Sequence, residues 1–128
     1  MKRQFGFVFA VLFLISFTVF AQSTVTVNNI SVKELRQQIK NDSSLVILDV
    51  RTPQELTGSL GKIDGVINIP LQDLDKRITE INKYKDQKIA VICRTGHRSA
   101  IASKVLVNHG FTKVENVEGG MTAYRENK

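Results

Sequence analysis

The sequence predicts an α/β domain with a parallel sheet at its centre. Two observations carry this. Leu45-Val46-Ile47-Leu48 and Ile89-Ala90-Val91-Ile92 are continuous apolar runs with no polar alternation, the pattern of strands covered on both faces. The stretches between such runs space their apolar residues at helical intervals, so strand and helix alternate along the chain.

The first helix is announced by Ser31 and Glu34, an S-x-x-E capping box. Val32, Leu35 and Ile39 follow at helical spacing, which predicts an amphipathic helix over 32–40. The Leu45–Leu48 run is a strand ending at Asp49-Val50. Thr52-Pro53-Gln54-Glu55 starts a second helix: Thr caps, Pro takes the first helical position, and Glu55 closes the box. Gly58 and Gly61 keep it short.

Val66-Ile67-Asn68-Ile69 is a short strand stopped by Pro70. Leu71, Leu74, Ile78 and Ile81 define one face of a third helix, and 83–87 is a polar loop. The Ile89–Ile92 strand runs into Cys93-Arg94-Thr95-Gly96-His97-Arg98-Ser99. A helix follows with Ile101, Ala102, Val105 and Leu106 expected on its buried face, and Gly110 ends it. Val114–Val117 is a further strand, succeeded by Gly119-Gly120 and a terminal helix from Met121.

At 128 residues the chain holds one domain. Its first stretch stands apart. Lys2 and Arg3 precede an apolar run from Phe5 to Phe20, which exits through Val19-Phe20-Ala21. A basic start, a short apolar core and a small-residue exit describe a secretory signal peptide over 1–21, cleaved after Ala21. The alternative is an uncleaved anchor, but the run is shorter than the ~20 apolar residues of a spanning helix. The expected domain is then 22–128, exported and most simply periplasmic, with secretion or a retained anchor as alternatives. No stable membrane contact is expected once the signal is removed.

Loss of Lys2 and Arg3 takes the net charge two below the +6 of the full chain. The remaining basic residues are scattered and have no aromatic interleaving, which argues against a nucleic-acid surface. Cys93 is the only cysteine. An exported protein with one cysteine has an unpaired thiol that is reactive, intermolecular or an inert core residue. The neighbours decide. Arg94, His97 and Arg98 lie within five residues, and the loop stands between a buried strand and a helix. Main-chain N–H groups of such a loop, with the helix N-terminus, form an anion cradle. That setting lowers a thiol pKa and suits an anionic nucleophile.

Four segments in order resemble the rhodanese-like domain family over nearly all of 22–128. They are Leu48-Asp49-Val50-Arg51-Thr52-Pro53-Gln54-Glu55, Gly65-Val66-Ile67-Asn68-Ile69-Pro70-Leu71, Cys93–Ser99, and Val117-Glu118-Gly119-Gly120-Met121, with Gly110-Phe111 between the last two. The resemblance implies three α/β/α layers around a five-stranded parallel sheet of order 3-2-4-5-1. It implies that Cys93 accepts sulfane sulfur from a small anionic donor such as thiosulfate, holds it as a persulfide, and passes it to a thiol or to cyanide. The loop residues Arg94, Thr95, Gly96, His97, Arg98 and Ser99 would bind the donor and the persulfide. The acceptor would be a thiol, such as that of a thioredoxin-like protein. Asp49 would orient the crevice and Arg51 border it, or the two would form an ion pair that fixes the loop. Neither a cofactor nor a metal is expected.

The chain departs from the family pattern at Gly61-Lys62-Ile63-Asp64-Gly65, Leu56 and Tyr124, which bears on substrate preference more than on the nucleophile. Cysteine-dependent phosphatases and arsenate reductases share this fold type but use Cys-x5-Arg. Here the spacing from Cys93 to Arg98 is Cys-x4-Arg, a smaller ring. A persulfide carrier or redox binding module remains the other alternative.

Overall fold

The computed structural model describes residues 24–127 and Thr18. The expected signal peptide, 1–21, otherwise lies outside the described residues. Five strands alternate with helices: β1 (Asn28–Ile30), α1 (Val32–Asn41), β2 (Val46–Asp49), α2 (Pro53–Leu56), β3 (Ile67–Asn68), α3 (Leu74–Arg77), β4 (Lys88–Ile92), α4 (His97–Asn108), β5 (Lys113–Val117) and α5 (Gly120–Glu126). The strands form one sheet in the order β1-β5-β4-β2-β3, every pair parallel. This is the expected order read from the opposite edge.

The period of two along each strand sorts its side chains into two cores. Ile89 and Val91 of β4 join Leu48, Leu74, Ile78, Ile81, Leu106 and Phe111 on one face. Ala90 and Ile92 join Val32, Leu35, Ile47, Val117 and Met121 on the other. Helices therefore cover both sides, which is why these runs carry no polar alternation. Both predicted capping boxes form: Ser31 Oγ accepts from Glu34 N–H, and Thr52 Oγ1 accepts from Glu55 N–H.

Three local expectations change. The 71–81 helix is α-helical only over Leu74–Arg77 and is flanked by 3-10 turns at Leu71–Asp73 and Ile78–Tyr84. No side chain caps either turn or α3, so nothing fixes a single helical register. The second turn also takes in Lys83 and Tyr84, at the start of the expected 83–87 loop. Ile101 is 43 % exposed, and Ser99 and Ser103 share the buried face of α4 with Ala102 and Leu106. Ile39 of α1 is likewise 38 % exposed, because the helix meets the sheet through Val32 and Leu35. A further strand, β1, carries little apolar signal of its own; it pairs Ile30 with Val117 at the sheet edge. Among the described residues no helix is long and apolar enough to cross a membrane.

Candidate active site

The sheet order creates a crevice. From β2 the chain turns through α2 to β3 on one side, and from β4 it turns through α4 to β5 on the other. Adjacent strands whose connections diverge leave a gap at their carboxyl ends, the usual ligand position in open α/β sheets. Asp49 and Ile92 are paired across this gap, and the ladder extends by Val50 N–H to the Ile92 carbonyl at 3.0 Å. Cys93 is the next residue.

Cys93 is 1 % exposed and touches the apolar core, yet its sulfur is ringed by polar groups. Gly96 N–H donates to Sγ at 3.1 Å, and the thiol lies 3.3 Å from Ser99 Oγ, to which it donates. Helix α4 has no side-chain N-cap. The sulfur sits among its unpaired N–H groups, where a capping oxygen would be found in other helices. Burial opposes ionisation of the thiol. The Ser99 hydroxyl and the N–H groups of Ser99, Gly96 and Thr95 outweigh it, so the pKa falls below the ordinary thiol value.

The loop is shaped from outside. Met121 N–H donates to the Cys93 carbonyl at 2.8 Å and Thr122 N–H to the Arg94 carbonyl at 3.0 Å. With its carbonyls drawn toward α5, the loop is free to turn its amides inward. Gly96 completes the turn at φ 103°, a region closed to most side chains. Gly120 lets α5 approach: a Cβ there would lie 2.5 Å from the Cys93 oxygen.

The charged residues divide sharply. Asp49 and Arg51 form a buried pair: Arg51 Nη2 donates to Asp49 Oδ2 at 2.8 Å, and Nε reaches Oδ1 at 3.0 Å. Arg51 Nη2 also donates to the Gly61 carbonyl at 2.7 Å and Nη1 to the Glu55 carbonyl at 3.3 Å, tying β2 to α2 and its following loop. Arg98 makes a two-pronged pair with Glu55, both contacts 2.8 Å. Arg98 holds the Glu55 carboxyl down at about 2, against its desolvation. The charge of Arg98 is thus already balanced.

Arg94, Thr95 and His97 are exposed, and Arg94 has no ion-pair partner among the described residues. Arg94 and Arg51 line a cavity of about 90 Å³ with Glu55, Gly58, Ser59 and Leu60. A larger groove of about 580 Å³ lies between the 25–29 segment and α4 and includes none of the Cys93 loop. Among the described residues no cluster of His, Cys, Asp or Glu is placed to hold a metal.

Sequence reasoning missed five contributors. Glu55 was visible only as a helix cap; its partnership with Arg98 spans 43 positions. Asn116 accepts from Ser99 Oγ at 2.6 Å, and in the strand sequence Lys113-Val114-Glu115-Asn116-Val117 nothing sets it apart from its polar neighbours. Asn68 Nδ2 donates to the carbonyls of Asp49 at 2.9 Å and Arg51 at 2.8 Å, holding β3 to the crevice. The amides of Met121 and Thr122 have no side-chain signature.

Residues 31–127 match the rhodanese-like domain family. The chain belongs to it. The chain is 37 % identical over 101 residues to the putative sulfur carrier protein YrkF of Bacillus subtilis, spanning 79 % of this chain and about half, 52 %, of that protein. It is 32 % identical over 98 residues to a sulfurtransferase of Allochromatium vinosum, covering 77 % of this chain and 88 % of that one. The crystal structure of a rhodanese-related protein from Thermoplasma volcanium superposes with a TM-score of 0.68 at 37 % identity, over 78 % of this chain and 92 % of the other. The rhodanese-like fold follows for this domain, and the relatives it matches are named a putative sulfur carrier and a sulfurtransferase.

Proposed function

We propose that this rhodanese-like domain is a sulfurtransferase that carries sulfane sulfur as a persulfide on Cys93 and accepts thiosulfate as a donor. One observation carries the reading. The only cysteine of the chain sits at the start of α4 with main-chain N–H groups and a hydroxyl around its sulfur. Those donors stabilise negative charge on sulfur, first on the thiolate and then on the outer atom of a persulfide.

The Cys93 thiolate attacks the outer sulfur of thiosulfate. The sulfur–sulfur bond of the donor breaks, and sulfite leaves with the electron pair. An acceptor thiolate then attacks the outer sulfur of the persulfide, and the Cys93 thiolate is released. This is two-step covalent catalysis of the ping-pong kind. Exposed Arg94, whose charge no carboxylate among the described residues balances, draws in the anionic donor. Arg98 serves mainly to brace α4 against α2, since Glu55 neutralises it. Thr95, Gly96 and Ser99 hold the sulfur, and His97 lies at the rim without a required proton transfer.

The test is thiocyanate formation from thiosulfate and cyanide. Wild type should turn over and Cys93→Ser should not; equal rates would remove Cys93 as the nucleophile. Intact-mass measurement should show wild type gaining one sulfur atom from thiosulfate and losing it to cyanide.

The carrier name of the Bacillus subtilis relative favours a second reading, in which the persulfide forms once and waits for a dedicated acceptor. Full loading by thiosulfate with negligible steady-state turnover would select it. We also propose export to the periplasm with cleavage after Ala21, and a thioredoxin-like protein as thiol acceptor. A mature N-terminus at Gln22 in the periplasmic fraction is the expected result.

A further inference from the structure

We propose that Asn116 is a positioning residue that restrains ionisation of Cys93 by holding the single proton of the Ser99 hydroxyl. The inference builds on the sulfur-transfer reading of Cys93, and its test uses no sulfur donor.

The Ser99 hydroxyl has one hydrogen and two neighbours able to accept it. Asn116 Oδ1 is 2.6 Å away and Cys93 Sγ is 3.3 Å away. The orientation of the Asn116 amide is set at its far end, where Nδ2 donates to Asn29 Oδ1 at 3.1 Å. That bond leaves the carbonyl oxygen facing Ser99, and a carbonyl oxygen can only accept. In the thiol state the chain therefore runs one way: the Cys93 thiol donates to Ser99, and Ser99 donates to Asn116.

Ionisation breaks this direction. A thiolate has no hydrogen to give and needs one. Ser99 can supply it only by swinging its proton from Asn116 to sulfur. Asn116 Oδ1 then lies buried without a donor, a costly state for a polar atom. Asn116 thus works against the loop amides, which favour the anion. The same swing is required whenever the sulfur carries charge.

The other charged groups near Cys93 do not share this route. Arg98 of α4 is engaged by Glu55 of α2, and Asp49 and Arg51 at the end of β2 engage each other. Arg94 and His97 are exposed, and α5 meets the loop through its amides. None of these groups bonds to Asn116, so a change there leaves them in place.

The experiment is the pH dependence of iodoacetamide alkylation of Cys93 in the full chain. Asn116→Leu releases the hydroxyl proton to sulfur and should lower the midpoint by about 0.7 pH unit, a roughly fivefold larger thiolate fraction below it, as one net neutral hydrogen bond predicts. Asn116→Val carries the same expectation should the leucine variant fold poorly. In a Ser99→Ala background the Asn116 substitution should produce no further shift. A midpoint that rises or stays put in both Asn116 variants overturns the proposal. So does a shift of equal size without Ser99. Loss of thiosulfate activity with these shifts intact would count against the sulfur donor alone.

Discussion

At the scale of single residues, the site depends on two kinds of position: those that face the sulfur and those that let the loop close around it. Gly120 is of the second kind. Its φ of 56° and the 2.5 Å approach of a Cβ to the Cys93 oxygen mean that any side chain must push α5 off the loop. Gly120→Ala should cost about 1–3 kcal/mol in urea unfolding and roughly a hundredfold in sulfur transfer through misplaced amides. Glu55 acts on charge. Glu55→Gln leaves Arg98 unbalanced at the crevice, so KM for thiosulfate should fall while that for an uncharged persulfide donor stays. Steady-state kinetics with the two donors separates these outcomes. Cys93 and the loop around its sulfur were legible because the glycine and basic residues are contiguous with it. Glu55 and Asn116 were not, because their partners are distant in sequence and no local pattern encodes a contact.

At the scale of elements, stability concentrates where an apolar stripe meets the sheet. Leu106 of α4 is fully buried in the same core as Val91 and Phe111. Leu106→Ala should destabilise the domain by about 2–5 kcal/mol, read as a lower urea midpoint at constant slope. Ser31→Ala removes one half of the α1 capping box and should cost about 1 kcal/mol. The capped helices were correctly legible, since a capping box states where a helix begins. The 71–81 stretch reads as one helix because periodicity reports a buried face but not which turn type displays it. The serines on the inner face of α4 escaped for a related reason: Ser103 Oγ donates to the Ser99 carbonyl at 2.7 Å, so a polar residue is accommodated inside.

At the scale of the molecule, two ion pairs hold the crevice together. Asp49–Arg51 is buried, and removing one partner strands the other charge. Asp49→Ala should cost about 3–5 kcal/mol, more than any exposed pair here, and denaturant unfolding at neutral pH measures it. Glu55–Arg98 links the two helices that flank the crevice and imposes a pH dependence. Its carboxyl titrates at about 2 in the fold against 4.5 in an unconstrained Glu. The depressed value means the stabilisation is complete above about 4.5 and is lost as pH falls through about 2. The stability difference between wild type and Glu55→Gln should therefore be level above pH 5 and shrink below pH 4.5. A difference that grew on acidification would contradict the pairing.

The sequence by itself determined the alternation of strand and helix, the two capping boxes, and a lone thiol at a strand-to-helix turn rich in basic residues. These are local properties, carried by hydrophobic period, turn chemistry and nearest neighbours. Only the tertiary structure decided which cations are balanced, which amides clamp the loop from behind, and that an asparagine of the neighbouring strand β5 accepts the proton of the hydroxyl beside the sulfur. Those are properties of distance in space, and the sheet brings together atoms that the chain keeps far apart.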